Sequence, residues 1–135
     1  MLKYFFYFLF LSFIHTEIIQ HSHIIDSNSK TSIKVDVLIN QSYDNIKKVT
    51  LFYRSNNQIE FLELDMVHSK DNFFNAIIPS EYVTKNGINY FITLELKDNS
   101  LYSYPYENPK KNPIKINIKE NNIKSNTRSK LSNQG

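Results

Sequence analysis

The sequence predicts an all-β protein, an antiparallel β-sandwich of about seven strands, from three observations. Between residues 31 and 118, apolar side chains recur at every second position, which is typical of strands with one buried face. Turn-forming residues interrupt these segments at intervals of about ten residues. No segment of this region keeps the period of an amphipathic helix. The chain of 135 residues is long enough for one domain.

Residues 1–16 are predicted to be an export signal. Lys3 precedes the apolar residues 4–14, which would rise only about 16 Å as a helix, roughly half of a bilayer core. That length is typical of a signal peptide, with cleavage expected before Glu17. The alternatives are an uncleaved N-terminal anchor and a buried core segment. We therefore expect an exported protein that is periplasmic, extracellular or on the cell surface.

The first half of the sandwich alternates over four segments. The predicted strands span residues 33–39, 46–54, 59–67 and 73–78. Four β-branched residues of the first strand fall on one face, and Val49, Leu51 and Tyr53 share a face of the second. The third alternates imperfectly, which indicates a β-bulge. Pro79 ends the fourth because it has no N–H to donate.

The second half begins with a short turn or 3₁₀ connection over residues 80–86. Gly87 then permits a left-handed turn. The remaining predicted segments are a long strand at 88–97, an extended stretch at 101–106 and a last strand at 114–118. In the long strand, four residues are predicted to point inward: Ile88, Tyr90, Ile92 and Leu94. The sandwich is thus expected to occupy residues 17–118.

The net charge of +3 does not belong to the predicted sandwich. Residues 31–118 contain ten Lys and Arg and ten Asp and Glu, whereas residues 119–135 carry the excess of three. This last segment is predicted to be a disordered basic polar tail or linker. Nucleic-acid binding requires positive charge clustered on a folded surface, so no nucleic-acid partner is expected.

The composition removes several kinds of chemistry. The chain has no cysteine, which excludes disulfides, thiolate metal sites and cysteine nucleophiles. With only two glycines, a phosphate-binding glycine loop is also excluded. No cofactor is predicted.

Three clusters carry side chains of catalytic or metal-binding type. They are His21, His23 and Asp26; His68, Ser69 and Asp71; and Glu60, Glu63 and Asp65. The first is interpreted as an exposed segment rather than a metal site. The second lacks a nucleophile turn, and the third is typical of the solvated side of an edge strand. We therefore expect neither an enzyme nor a metal protein.

Tyr102, Tyr104 and Tyr106 are the candidate ligand-binding residues. Their spacing of two places all three rings on one side of an extended segment, where a sugar or peptide could stack. The alternative is that the rings cover one end of the core. The absence of tryptophan disfavours a carbohydrate.

Several packing motifs resemble those of exported bacterial immunoglobulin-like domains related to fibronectin type III. The motifs are residues 49–54 (VTLFYR), Met66, residues 74–79 (FNAIIP), residues 87–90 (GINY) and Asp98. This resemblance covers residues 18–118 and implies an immunoglobulin-like sandwich of about seven strands. It implies no catalytic residues and transfers no function.

Two functional hypotheses follow. The first is a non-catalytic secreted or cell-surface module with a structural or protein-interaction role, the N-terminal part of a larger exported protein. Its partner would be a protein or surface polymer that the sequence does not identify. The alternative is a glycan- or peptide-binding module that uses the tyrosine surface. A membrane is expected as a partner only through the export signal or an uncleaved anchor.

Overall fold

The computed structural model describes residues 17–121, which form two β-sheets packed face to face. The predicted all-β sandwich is confirmed, but the described residues form ten strands rather than about seven, and one pair of strands is parallel rather than antiparallel. The predicted export signal and residues 122–135 of the predicted tail lie outside the described residues. The strands are β1 (Ile19–Gln20), β2 (Asp26–Asn28), β3 (Ile33–Ile39), β4 (Ile46–Ser55), β5 (Leu62–Asp65), β6 (Val67–His68), β7 (Phe73–Ile78), β8 (Ile88–Leu96), β9 (Leu101–Tyr104) and β10 (Ile114–Lys119).

One sheet has four strands in the order β1-β3-β7-β6, all antiparallel. The other has six strands and contains the path β2-β10-β8-β4-β5. Along one edge of β8, β10 pairs with residues 88–90 and β9 with residues 92–95. β2 and β10 run parallel, and the other pairs of this sheet are antiparallel.

The core lies between the sheets and is built from the predicted inward faces. The alternating residues of β3, β4 and β8 are each 5% exposed or less. They are Ile33, Val35, Val37 and Ile39; Val49, Leu51 and Tyr53; and Ile88, Tyr90, Ile92 and Leu94. Burial of such side chains contributes about 1.5–3 kcal/mol each, and this is the main source of stability in a domain without disulfides.

The prediction of one strand over residues 59–67 is wrong. Ile59 lies in a loop and is 86% exposed. β5 belongs to the six-stranded sheet and β6 to the four-stranded sheet, so the chain changes sheets between them. Met66 sits at this crossing, where it is buried and donates its N–H to the carbonyl of Val49 over 2.8 Å. The imperfect alternation reflects this change of sheet rather than a bulge in one strand.

A second apolar cluster covers the outer face of the six-stranded sheet. Phe91 points away from the core and yet is only 2% exposed. Its ring stacks on Phe52 at 4.7 Å and meets the edge of Phe61 at 5.0 Å. The Arg54 guanidinium lies 4.2 Å from the Phe61 ring and donates to the carbonyl oxygen of Ile59 over 2.7 Å. The loop before β5 is thereby held over this face.

The N-terminal segment of the domain is divided between the two sheets, which the strand patterns did not predict. β1 pairs with β3 in one sheet, and β2 pairs with β10 in the other. Residues 21–25 cross between them. The backbone N–H of Asn117 donates to the carbonyl of Ile25 over 2.9 Å, and this bond joins the end of the crossing to β10. This crossing brings two histidines against the tyrosines of β8 and β9.

Candidate functional site

A groove lies where β1 of one sheet approaches β9 of the other. It has a volume of about 850 Å³. One wall is formed by residues of the N-terminal segment: Glu17, Ile18, Ile19 and His23. The other wall is formed by residues 102–106, which include all three predicted tyrosines. We call this the tyrosine groove.

The three tyrosines differ in how far they reach solvent. Tyr106 is 82% exposed and Tyr102 is 37% exposed. Tyr104 is half-buried and packs against the core. The alternative that the rings merely cover the core therefore describes Tyr104 better than the other two. Ligand binding by these residues stays a prediction.

The pairing of β9 with β8 explains the direction of two of these rings. Tyr102 is opposite Leu94 and Tyr104 is opposite Ile92, and both partners point into the core. Directly opposed residues of an antiparallel pair share a face, so both tyrosines lie on the inner side of β9. The Ser103 hydroxyl on β9 donates to the carbonyls of residues 105 and 106 and shapes the turn that presents the ring of Tyr106.

His21 links the two sheets at the base of the crossing. Its Nδ1 lies 2.6 Å from the carbonyl oxygen of Asp36 on β3, so this nitrogen carries the proton. Its Nε2 lies 2.7 Å from the hydroxyl of Tyr90 on β8 and accepts from it in the neutral ring. The same hydroxyl accepts the N–H of Ile24 at 3.3 Å. All the polar atoms of this network are paired.

Burial favours the neutral form of both partners. It lowers the pKa of His21, and the nearby His23 acts in the same direction, while the bond to Asp36 opposes the change. Burial raises the pKa of Tyr90 to about 12. The pair is therefore a neutral structural link at physiological pH.

His23 connects the crossing to the tyrosine groove. The Tyr104 hydroxyl donates to the carbonyl of His21 at 3.4 Å and therefore accepts the N–H of His23 Nε2, which lies 2.8 Å away. Burial raises the pKa of Tyr104, and the negative charge of Glu17 raises it further. The groove wall is thus held by bonds between residues about 80 positions apart, which the sequence alone did not predict.

The side chains considered as metal ligands, His21, His23 and Asp26, bind other protein groups. The rings of His21 and His23 lie 6.4 Å apart, and each has the hydrogen bonds given above. Asp26 pairs with Lys119 at 3.0 Å. Over residues 17–121, no three His, Cys, Asp or Glu side chains are arranged to hold a metal ion.

The remaining polar clusters lie apart from the groove. The ring of His68 packs on Tyr43 at 4.3 Å, and its Nε2 bonds the carbonyl oxygen of Asp71. Ser69 donates to a backbone carbonyl. Of the three predicted edge-strand carboxylates, Glu63 and Asp65 lie on the edge strand β5 and Glu60 precedes it.

Comparisons with known proteins provide no family for the chain. No family model matches the sequence, and a search of curated proteins finds no significant match. In the part of the chain that the structure describes, no helix is long and apolar enough to span a membrane. Function is therefore inferred from the geometry of the tyrosine groove.

Proposed function

We propose that this chain is an exported, non-catalytic immunoglobulin-like module that binds a partner at the tyrosine groove. The observation that carries the proposal is the groove itself, in which two exposed tyrosines lie across from a mixed polar and apolar wall formed by residues 17–19 and His23. Its volume of about 850 Å³ falls within the range usual for ligand sites.

The strand order supports the immunoglobulin-like assignment. That fold places strands A, B, E and D in one sheet and C, F and G in the other, with C′ beside C in variable-type domains. If β1 and β2 are counted as one divided strand, the four-stranded sheet here has its first, second, sixth and fifth elements in that order, and β1, β3, β7 and β6 correspond to A, B, E and D. β5, β4 and β8 then correspond to C′, C and F, and β9 and β10 together correspond to G.

The chemistry of the groove supports an interaction role. Tyrosine combines a large apolar ring with a hydroxyl and is enriched where proteins contact one another. The wall opposite the tyrosines contributes the partly exposed side chain of Ile18, whereas Ile19 beside it is buried in the core. Because tryptophan is absent from the chain, a peptide is favoured over a glycan as the ligand.

The binding proposal is tested with a phage-displayed peptide library and a glycan array against the secreted protein. Peptides selected on the wild type should bind at least about tenfold more weakly to Tyr102→Ala and Tyr106→Ala, because interface tyrosines often contribute more than about 1.4 kcal/mol. Tyr43→Ala is the matched control, since Tyr43 is 51% exposed but lies outside the groove. Equal binding by all variants would exclude the groove as the site.

The same array tests a second candidate, glycan stacking on the exposed rings. Oligosaccharide binding that depends on Tyr106, with no peptide enriched, would favour it.

The export proposal is tested separately. The full chain is produced in a secreting bacterial host, and the fractions are examined by mass spectrometry. We expect the protein in the exported fraction with Glu17 as its first residue, as the signal-peptide pattern predicts. Uncleaved protein in the membrane fraction would favour the anchor, and uncleaved soluble protein inside the cell would refute export.

A further inference from the structure

The backbone of β9 is open on the side facing away from β8. Leu96 donates its N–H to the carbonyl of Ser100 over 3.0 Å, so these two residues form a hydrogen-bonded pair. Hydrogen-bonded and non-hydrogen-bonded pairs then alternate along the β8–β9 hairpin. Tyr102 and Tyr104 therefore direct their N–H and C=O groups toward β8, opposite Leu94 and Ile92. Those of Leu101 and Ser103 point outward. Within residues 17–121, β9 pairs with β8 alone.

This edge lacks the charges that usually prevent strands from pairing with other chains. β5, the other four-residue edge, carries Glu63 and Asp65. The edge strands β1 and β6 have two residues each, and β2 carries Asp26. By contrast, residues 101–106 contain no charged side chain. Residues 33–37 of β3 are also uncovered, because β1 pairs only with Leu38 and Ile39, but they carry Lys34 and Asp36. Among the described edges of four or more residues, β9 is thus the uncharged one.

The groove lies on the inner side of this open edge. A strand added to β9 would lie about 4.8 Å from it and would turn every second side chain inward. Those side chains would meet Tyr102, Tyr104 and Ile18 of the opposite wall. An occupant with alternating apolar residues fits this geometry, because peptide strands added to sheet edges are held by backbone bonds and selected by alternate side chains.

The charge of the groove restricts the occupant further. Glu17 is its one carboxylate, and neither lysine nor arginine lines it. A positively charged side chain in the occupant would complement this carboxylate. A second copy of the chain pairing through β9 would bring only the uncharged residues 101–106 and a second Glu17.

We propose that an extended segment of a partner protein, with alternating apolar residues and at least one Lys or Arg, adds as a strand to the open edge of β9 and fills the tyrosine groove. This inference rests on the proposed interaction function and specifies the chemistry of its partner.

The test uses the secreted protein and the peptide most enriched by the phage library. The peptide is synthesised in two further forms, each methylated on alternate backbone amides. Methylation of the set facing β9 should weaken binding at least about tenfold, because it removes hydrogen bonds and blocks close approach. Methylation of the other set should change the affinity by less than about twofold, since those amides face solvent.

Changes in the protein and in the peptide charge provide independent controls. Ser103→Pro removes the outward N–H together with the hydroxyl that shapes the turn, whereas Ser103→Ala removes the hydroxyl alone, so Ser103→Pro should bind about tenfold more weakly than Ser103→Ala. Replacing the basic residue of the peptide by Glu should also weaken binding, by up to about fivefold because Glu17 is exposed; this comparison uses protein with an acetylated N-terminus, since a free α-ammonium on Glu17 would offset its carboxylate. Amide exchange of the core strands verifies that each variant is folded.

The outcomes separate this inference from the proposed function. If the two methylated forms bind equally and binding still depends on Tyr102 and Tyr106, the groove binds peptides through side chains and strand addition is overturned. Concentration-dependent dimers that Ser103→Pro abolishes would assign the edge to a second copy and overturn the partner segment. Loss of dependence on both tyrosines would overturn the proposed site together with this inference.

Discussion

Replacing Tyr90 by phenylalanine tests whether the link between the two sheets stabilises the fold. The ring of Tyr90 is fully buried, and its hydroxyl donates to His21 and accepts from Ile24. The substitution keeps the apolar ring in the core and removes only the oxygen. One side-chain acceptor and one backbone N–H are left without their partner.

The expected loss of stability follows from these two bonds. A net hydrogen bond contributes about 1 kcal/mol, and an unpaired buried group costs about 1–3 kcal/mol. Since His21 is only half-buried and water can reach part of its ring, we expect a loss of about 2 kcal/mol. That value corresponds to a decrease in Tm of about 10 °C for a domain of this size.

Urea unfolding and thermal unfolding at pH 7.5 measure the effect. Tyr53→Phe is the matched control, because the Tyr53 ring is 3% exposed and its hydroxyl makes no hydrogen bond to another residue of the described domain. The control should change stability by less than about 0.5 kcal/mol. If both variants lose the same free energy, the hydroxyl of Tyr90 does not stabilise the crossing.

Three further predictions concern other parts of the molecule. Because burial lowers the pKa of His21 in the folded state, the stability that its neutral ring contributes is complete above about pH 6.5 and is lost as the pH falls toward its pKa in the folded protein. The loss should be less than about 1.4 kcal/mol per pH unit, because the ring is partly screened by solvent. Urea midpoints at pH 7.5, 6 and 5 should show this pH dependence, and His21→Gln should weaken it. Phe91→Ala should cost about 3 kcal/mol in urea unfolding, because the ring is buried against Phe52; a loss below about 1 kcal/mol would mean that the outer cluster is not packed. Gly87→Ala should lower stability by about 1–2 kcal/mol, because Gly87 has a φ of +87° and an added Cβ would lie 3.1 Å from the Ile116 carbonyl oxygen; thermal unfolding without a decrease in Tm would contradict this strain.

The alternation of apolar and polar residues in the sequence predicted the strands that have one face in the core. β3, β4, β7, β8 and β10 were located within one or two residues because each buries every second side chain. Their order in the sheets was not available from the patterns. β1 and β2 were missed because two or three residues are too few to establish a period.

Phe91 shows why burial was harder to predict than strand position. Its place on the outer face of β8 followed from the alternation, but its burial depends on Phe61, which the loop before β5 brings across the sheet. The prediction that Ile59 lies in a strand was wrong for a related reason: residues 56–61 form a loop that does not pair with a neighbouring strand. Contacts made by an irregular loop leave no periodic signal in the sequence.

The candidate site was predicted in part. The spacing of Tyr102, Tyr104 and Tyr106 predicted a common surface, and all three line the groove. Glu17 and His23, which supply the opposite wall, were not associated with them, because their proximity results from the crossing between sheets. The sequence thus predicted one wall of the groove and not the groove.

Amide hydrogen exchange along β9 tests the central claim, that this strand has one paired edge and one open edge. In the free protein, the N–H groups of Tyr102 and Tyr104 should exchange slowly because they bond to β8, whereas those of Leu101 and Ser103 should exchange nearly as fast as in an unfolded peptide. Equally slow exchange at Ser103 would mean that its N–H is already bonded, and the edge could not receive a partner strand.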